Sequence, residues 1–269
     1  MNIENIPEYR FRQDSYDTPP GRRRALMDRL LLNSRAYFYW CNFLIFAQSG
    51  WCAKQGRLDA ANQVHYSTKN IDLVESCGGR IHVRGLDNID KLEGRPAVII
   101  GNHMSLLETA VLHAILRGRI EFTFVIKESL LHVPLFGHIM RSHKAIPVGR
   151  TNPKEDFKQV MAGGKATLDA GCSVILFPQH TRNTEFKPDE FNTIGVKLAK
   201  HADAFVVPMA LKTDFVQTGK WLRDLGPIDR SKDVWFEFGA PFKVEGNGKE
   251  EHRRIVEFIE TRLAAWQSR

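Results

Sequence analysis

The feature that most constrains the fold is a regular alternation of short apolar segments with helical patterns, which begins near residue 80. The apolar segments are rich in β-branched residues and predict strands. They are "RIHVRG", "AVIIG", "FTFVI", "SVILF", "FVVPMAL" and "VWFEFG". Helical patterns lie between several of them, at 105–117, 153–170, 191–201 and 250–266. The alternation predicts an α/β fold, in which a single layered domain has a mixed, largely parallel sheet flanked by helices. We assign residues 67–269 to this domain.

The chain before this domain has a different composition. Residues 1–21 are polar, carry both charges and end in Pro19, Pro20 and Gly21, so they predict a flexible leader and no secretory signal peptide. From Arg22 to Arg57, seven basic residues stand against one acidic residue, which accounts for most of the net charge of +7. Such a patch suits nucleic acid, an anionic membrane or acidic substrates, and charge alone does not choose between them.

Aromatic residues in this basic segment favour a membrane. Within 36–53 no side chain is charged and seven are aromatic. Polar residues interrupt the segment, and it is short for a bilayer span, which needs about 20 apolar residues. Aromatic rings with basic flanks are instead typical of the membrane interface. We therefore predict amphipathic, interfacial helices over 22–66. A helix packed on the protein's own core is the alternative.

A histidine at a strand end and a carboxylate in the next helix form the first candidate site. Ligands of open α/β sheets bind beyond the carboxyl ends of strands, and "AVIIG" delivers His103 there. Ser105 and Glu108 have the spacing of a capping box, which explains Glu108 but not His103. From the loop before the helix, His103 is within reach of the Glu108 carboxylate. An imidazole oriented by a carboxylate is suited to act as a general base on a hydroxyl.

Three basic residues form the second candidate site. Lys127, Arg150 and Arg182 lie at predicted strand ends or in the turns beside them. Any one of them is more simply a solvated surface charge. Three of them converging on one edge of a sheet favour an anion site, because guanidinium groups match phosphate oxygens and lysine supplies a point charge.

The sequence lacks the motifs of common zinc sites, of serine hydrolases and of nucleotide-binding sites. His132, His138 and His143 have spacings that fit no common zinc motif, and we predict neither a metal site nor a cofactor. There is no G-x-S-x-G, P-loop or G-x-G-x-x-G sequence. His113, in the helix after the first site, is expected to be a packed or surface residue. The four cysteines are widely spaced and predict reduced thiols in a cytoplasmic setting.

Four segments together resemble a known family. They are "GNHMSLLETAVL", "FVIKESLLHVPLFGHIMRSHKAIPVGR", "ILFPQHTRN" and "FVVPMAL", in the order of the four motifs of glycerolipid acyltransferases. The chain resembles the lysophosphatidic acid acyltransferase branch over residues 80–245. The resemblance implies acyl transfer from acyl-CoA or acyl-carrier protein to a lysophospholipid, with 1-acylglycerol-3-phosphate first among the acceptors. It also implies a location on the cytoplasmic face of a membrane, and no nucleic-acid partner.

The resemblance also implies roles for individual residues. His103 is the base and Glu108 its orienting partner, in place of the family's aspartate. The substrate-binding residues that it implies are Lys127, Gly149, Arg150, Gln179, His180, Thr181 and Arg182. Gln179 and His180 replace the family's usual glutamate and glycine, so acceptor recognition is expected to differ.

The sequence favours a direct reaction. The motif offers a base but no obvious serine or cysteine nucleophile, since Ser105 is explained as the helix cap. We therefore predict that the acceptor oxygen attacks the thioester without an acyl-enzyme intermediate. The alternatives are acyl transfer to a different lysolipid, a membrane lipid-binding protein without catalysis, a nucleic-acid-binding protein, which would explain the charge, and a hydrolase that uses the same histidine and glutamate.

Overall fold

The computed structural model describes residues 9–179, 181–219 and 222–267. In this part of the chain one sheet of eight strands forms the centre of the fold. The strands are β1 Tyr16–Asp17, β2 Ile81–Arg84, β3 Ala97–Gly101, β4 Phe122–Lys127, β5 Ile146–Val148, β6 Ser173–Leu176, β7 Phe205–Lys212 and β8 Val234–Phe238. Their spatial order is β1-β2-β8-β7-β3-β6-β4-β5.

Helices cover the sheet. Those in the described residues are α1 Leu26–Leu30, α2 Arg35–Lys54, α3 Ala60–Ser76, α4 Asp87–Asp90, α5 Leu107–Leu116, α6 Phe136–Ser142, α7 Pro153–Asp169, α8 Ile194–His201 and α9 Lys249–Gln267. Two short 3-10 turns, Glu128–His132 and Pro188–Glu190, lie in the connections. All six predicted strands and all four predicted helices are present.

The predicted sheet type is confirmed. Strand β3 is buried along its whole length and lies between β7 and β6, with which it pairs in parallel. Strand β4 pairs in parallel with β6 and β5. Among the eight described strands, only the pairs β1–β2 and β7–β8 are antiparallel. A strand buried on both faces needs no polar alternation, which is why "AVIIG" is continuously apolar.

The crossovers divide the helices between the two faces of the sheet. Parallel strands are joined by right-handed connections, and the chain moves from β3 to β4 and β5 in one direction, then back to β6 and β7. Helices α5 and α6 therefore lie on one face, and α7 and α8 lie on the other. Their contacts agree, because α5 packs on α3, α3 on α2 and α2 on α6, whereas α7 packs on α8.

Two strands and two short helices, α4 and α6, were not predicted. Strand β5 has only three residues and contains Pro147. It lies at the edge of the sheet, where a residue without an N–H group is tolerated. Strand β1 has two residues, and α6 has two turns. Segments this short carry too few residues to show a period.

Residues 9–21 differ from the predicted flexible leader. Tyr9 and Phe11 are buried in the core, and the Tyr9 hydroxyl donates to the carbonyl of Ile115 at 2.6 Å. Strand β1 extends the sheet by pairing with β2. Burial of the two rings outweighs the polar composition of the segment, so the ordered domain begins before residue 22. Residues 1–8 lie outside the described part of the chain.

The N-terminal helices pack on the domain and also expose apolar side chains. The predicted boundary at 66/67 falls inside α3, which packs against α5. Helix α2 buries Phe38 and approaches Leu135 so closely at Gly50 that an added Cβ would lie 2.6 Å from that residue's Cβ. On its other side, Trp40 is 63% and Trp51 55% exposed. No helix in the described residues combines the length and the apolar content needed to cross a bilayer.

Candidate active site

Four parallel strands deliver the predicted site residues to one edge of the sheet. Strands β3, β6, β4 and β5 are neighbours that run in the same direction, so their carboxyl ends share that edge. A cleft of about 760 Å³ opens there. Among its lining residues are six of the predicted ones: His103, Lys127, Arg150, Gln179, Thr181 and Arg182.

The other three predicted residues lie elsewhere. Glu108 is fully buried beside His103 and does not line the cleft. Gly149 precedes Arg150 in the chain and is half-buried at the end of β5. His180 falls outside the described residues.

The His103 imidazole is held by its surroundings. Its Nδ1 atom contacts Oε2 of Glu108. The ring stacks on Phe177, with centroids 4.4 Å apart and planes 12° from parallel. The backbone N–H of His103 donates to the side-chain oxygen of Gln179 at 2.6 Å. The side chain is 20% exposed, so the ring combines a fixed orientation with access from the cleft.

Glu108 serves as both the helix cap and the partner of the histidine. Its Oε1 accepts the backbone N–H groups of Met104 at 2.8 Å and Ser105 at 2.7 Å, and the hydroxyl of Thr213 at 2.5 Å. Its Oε2 faces the imidazole of His103. The two interpretations of Glu108 made from the sequence are therefore compatible, because each uses a different carboxylate oxygen.

Ser105 is engaged by the fold. Its hydroxyl donates to the Thr213 hydroxyl at 2.9 Å and accepts the backbone N–H of Leu107 at 3.1 Å. The side chain is buried. These contacts match the predicted capping role and leave the hydroxyl poorly placed to act as a nucleophile.

Asn102 attaches the end of β3 to β7. Its side-chain amide donates to the carbonyl of Leu211 at 2.8 Å, and its side-chain oxygen accepts the Leu211 N–H at 2.9 Å. The residue is buried, so both bonds are shielded from water. This amide fixes the backbone position from which His103 projects.

Basic residues outnumber acidic ones along the cleft. Lys127 and Arg150 are exposed at the ends of β4 and β5. Arg150 has a φ of 58°, a region that costs energy for a residue with a side chain, and Asp156 accepts its N–H at 2.9 Å. Arg182 pairs with Asp224 at 2.6 Å. The surplus of cations suits an anionic ligand.

Three contributors to the site were missed by reasoning from the sequence. Phe177 directly precedes the predicted Pro-Gln-His-Thr-Arg segment, and its position next to a strand end was an available signal. Lys197 reaches the cleft from α8. Thr213 follows β7, far along the chain from Glu108, and only the fold brings the two together.

An apolar cavity of about 390 Å³ adjoins the cleft. Helices α2, α3, α5 and α6 contribute its walls. Several residues line both spaces: Leu106, Thr109, Phe124, Leu130, Phe136 and Met140. A cleft that carries several cations and an apolar cavity that share a wall suit a ligand with a charged head and a hydrocarbon chain.

The chain is similar to known acyltransferases. The family model described as Acyltransferase matches residues 80–212. A 1-acyl-sn-glycerol-3-phosphate acyltransferase of Pseudomonas aeruginosa is 31% identical over 191 residues, which cover 71% of this chain and 68% of that protein. A 1-acyl-sn-glycerol-3-phosphate acyltransferase of Cocos nucifera is 24% identical over 166 residues, 61% of this chain and 51% of that protein.

A solved structure has the same fold. The crystal structure of the 1-acyl-sn-glycerophosphate (LPA) acyltransferase PlsC of Thermotoga maritima superposes with a TM-score of 0.66 and 18% sequence identity. The match covers 90% of this chain and 98% of that one.

Proposed function

Since this chain belongs to the acyltransferase family, we propose that it acylates the free hydroxyl of 1-acylglycerol-3-phosphate in phospholipid biosynthesis. The acyl donor in this proposal is acyl-CoA or acyl-carrier protein. One observation carries the proposal: a His103–Glu108 pair lies where a cleft rich in cations meets an apolar cavity. The phosphate, the hydroxyl and the hydrocarbon chain of such an acceptor each have a matching surface.

The histidine acts as the base. A carboxylate can only accept, so Glu108 fixes the proton on Nδ1 of His103 and leaves the lone pair on Nε2. That nitrogen takes the proton of the acceptor hydroxyl as its oxygen attacks the thioester carbonyl. The new C–O ester bond forms, the C–S bond breaks, and the imidazolium returns the proton to the leaving thiolate.

Transfer is direct. Among the described residues no serine or cysteine lines the cleft, and the Ser105 hydroxyl is buried in hydrogen bonds. An acyl-enzyme would need a nucleophile within reach of the base. This observation supports a single displacement between the two bound substrates.

The acceptor phosphate binds at Lys127 and Arg150. Lys127 ends β4, Arg150 follows the end of the adjacent β5 by two residues, and both line the cleft. Arg182, which donates to Asp224, lines the same cleft and adds to its positive charge. Binding of the phosphate by these residues holds the acceptor hydroxyl near the imidazole. Part of the binding energy is thereby used to orient the acceptor for the reaction.

Acyl transfer by the purified protein tests the proposal. We expect ester formation with 1-acylglycerol-3-phosphate from acyl-CoA or from acyl-carrier protein, and much slower transfer to a 1-acylglycerol that lacks the phosphate. The Arg150→Gln variant should raise KM for the phosphorylated acceptor by about tenfold, the value of one charge-assisted contact. It should leave KM for the acceptor without phosphate nearly unchanged.

Lys158→Gln is the matched control for this assay. Lys158 is an exposed cation of α7 that pairs with Glu155 outside the cleft. Its removal should leave both KM values as they are. Thioester hydrolysis at the same rate with and without acceptor would identify a hydrolase, and transfer only to other lysolipids would identify a different acceptor.

The second part of the proposal is docking on the cytoplasmic face of a membrane. Exposed apolar side chains are concentrated on α1, on α2 and beside the cleft: Leu26, Met27, Leu30, Leu31, Leu32, Trp40, Phe43, Leu44, Trp51, Leu106 and Val133. Contiguous exposed apolar surface marks an interaction site. The substrates proposed above are lipids, and docking here would let them enter the cleft from the bilayer.

Vesicle flotation tests the docking. The double variant Trp40→Ser, Trp51→Ser should bind anionic vesicles about 100-fold more weakly, because each large side chain is worth over 1 kcal/mol when buried. Its transfer rate with water-soluble, short-chain substrates should match that of the unmodified protein. Equal flotation of the variant and the unmodified protein would place the membrane contact elsewhere.

A further inference from the structure

Two histidines lie in the wall of the apolar cavity. His113 belongs to α5 and His143 directly follows α6, and both line the cavity. Their ring centroids are 4.2 Å apart. The residues are only 4% and 8% exposed. A hydrocarbon chain gives such rings nothing to hydrogen-bond with.

The hydrogen-bonding capacity of both rings is unmet. Within the described residues, none of the four ring nitrogens of His113 and His143 has a partner. Burial, reinforced by the nearby charge of Arg117, lowers the pKa of His113 well below its ordinary value and that of His143 to about 3. Both rings are therefore neutral, and each has one N–H donor and one nitrogen acceptor. Leaving such groups unpaired in a protein interior is unfavourable.

Other polar groups in the same wall are satisfied by the protein. The Ser67 hydroxyl donates to the carbonyl of Ala110 at 2.7 Å and accepts the N–H of Ala114 at 2.8 Å. The side-chain amide of Asn70 donates to the carbonyl of Tyr66 at 3.1 Å. The histidine pair therefore differs from these groups in having capacity left for a ligand.

The aromatic neighbours of His113 do not supply the missing bonds. Phe122 stacks on its ring at a centroid distance of 4.7 Å, and Phe124 meets it edge-on at 5.7 Å. These contacts fix the position of the ring in the wall. They leave the nitrogen atoms of a closely packed side chain without a partner, which is the arrangement expected of a specificity contact.

We propose that the cavity takes an acyl chain bearing a hydroxyl group, and that His113 and His143 select it by hydrogen bonds. The inference rests on the acyl transfer proposed above and names its substrate class. A hydroxyl donates one hydrogen bond and accepts others, so it matches a lone pair on one neutral ring and an N–H on its neighbour. The hydroxylated chain belongs to the thioester donor or to the lysolipid.

The position of the pair along α5 indicates where the hydroxyl lies. His113 is five residues beyond Glu108, which corresponds to about 7.5 Å along the helix axis. Because Glu108 contacts His103, the pair lies well away from the reacting atoms. The hydroxyl is therefore expected several carbons into the chain.

The experiment compares kcat/KM for chains of equal length with and without a hydroxyl. One arm uses hydroxylated acyl-CoA with a plain acceptor, a second uses plain acyl-CoA with a hydroxylated lysolipid, and a third uses two plain substrates. The hydroxyl is placed in turn at carbon 3 and at positions towards the middle of the chain. We expect a preference of about tenfold for the hydroxylated chain in one arm, the value of one well-placed hydrogen bond.

The variants His113→Phe and His143→Leu should abolish that preference while retaining transfer of plain chains. His113→Asn, which keeps a donor and an acceptor, should restore part of it. Met140→Leu reshapes the same wall without changing a polar group, so it should leave the preference intact. Thermal unfolding shows whether each variant is folded. If a variant does not fold, the ratio of kcat/KM for hydroxylated and plain chains is still measured with the unmodified protein.

The outcomes separate this inference from the function on which it rests. Absence of transfer with two plain substrates and with hydroxylated ones would remove the proposed function. Transfer without preference for a hydroxyl in either arm, or a preference that survives in both variants, would overturn the histidine assignment alone.

Discussion

The His103→Ala variant is expected to lose acyl transfer by about 10²- to 10⁴-fold in kcat, the usual contribution of a general base. The proposed mechanism has no substitute for this group, because the described residues of the cleft include no other histidine. The substitution removes a partly exposed ring and its contact with Phe177, so the domain should stay folded. Initial rates with 1-acylglycerol-3-phosphate, at saturating concentrations of both substrates, measure the effect.

Two controls make this result specific. His201→Ala changes an exposed histidine at the end of α8 that does not line the cleft, and its rate should equal that of the unmodified protein. Vesicle flotation of the His103→Ala variant should be unchanged, and the variant should still unfold cooperatively but at a lower temperature, because the buried Oε2 of Glu108 loses its partner. Full turnover by that variant would remove the proposed base.

The part of the site that could be predicted from the sequence is the part made locally. Strand β3 ends where its apolar run ends, so His103 had to project from a strand end. Glu108 lies five positions away, near enough for chain geometry alone to suggest the contact. Lys127 was placed in the same way, at the end of its own strand, and Arg150 was placed in the turn before the helix that begins at Pro153.

The rest depends on contacts between distant segments. The oxygen of Gln179 accepts the His103 N–H, although the sequence had indicated only a substrate contact for that residue. His113 was expected to be a packed or surface residue, yet it meets His143 from another helix in the wall of a cavity. Neither segment alone indicates such a pair, because the local spacing of residues determines neither the order of strands in the sheet nor the packing of the helices.

The N-terminal residues also show a contact between distant segments that the local sequence did not predict. Composition alone indicated a loose leader before residue 22, since prolines and both charges are concentrated there. Tyr9 and Phe11 nevertheless complete the core. Burial of an aromatic ring stabilises the folded state by more than it costs to order the polar residues around it. A segment with two such rings is therefore held in place even without a regular sequence period.

The second large effect is expected at Glu108, and three substitutions there separate its two roles. Glu108→Ala removes the acceptor of two backbone N–H groups and of the Thr213 hydroxyl in a buried setting. The free energy of unfolding should fall by about 3 kcal/mol, and kcat should fall with it. The aspartate of Glu108→Asp is shorter by one methylene and cannot reach both the cap and the imidazole at their present positions. The free energy of unfolding and kcat of this variant should therefore lie between those of Glu108→Ala and the unmodified protein.

Glu108→Gln is the decisive variant, because it keeps an oxygen for the cap and places an amide NH₂ against His103. An NH₂ group donates, so Nδ1 must accept and the ring proton must move to Nε2, the atom that is needed as the base. We expect unfolding within about 1 kcal/mol of the unmodified protein and a loss in kcat of about 10³-fold or more, as for other wrong-tautomer histidines. Thr213→Val is the matched control, since it weakens the cap but leaves the tautomer: stability should fall while kcat stays nearly constant. If Glu108→Gln turned over normally, the carboxylate would be a helix cap only, and the orientation of His103 would have to come from Phe177 and the loop that carries it.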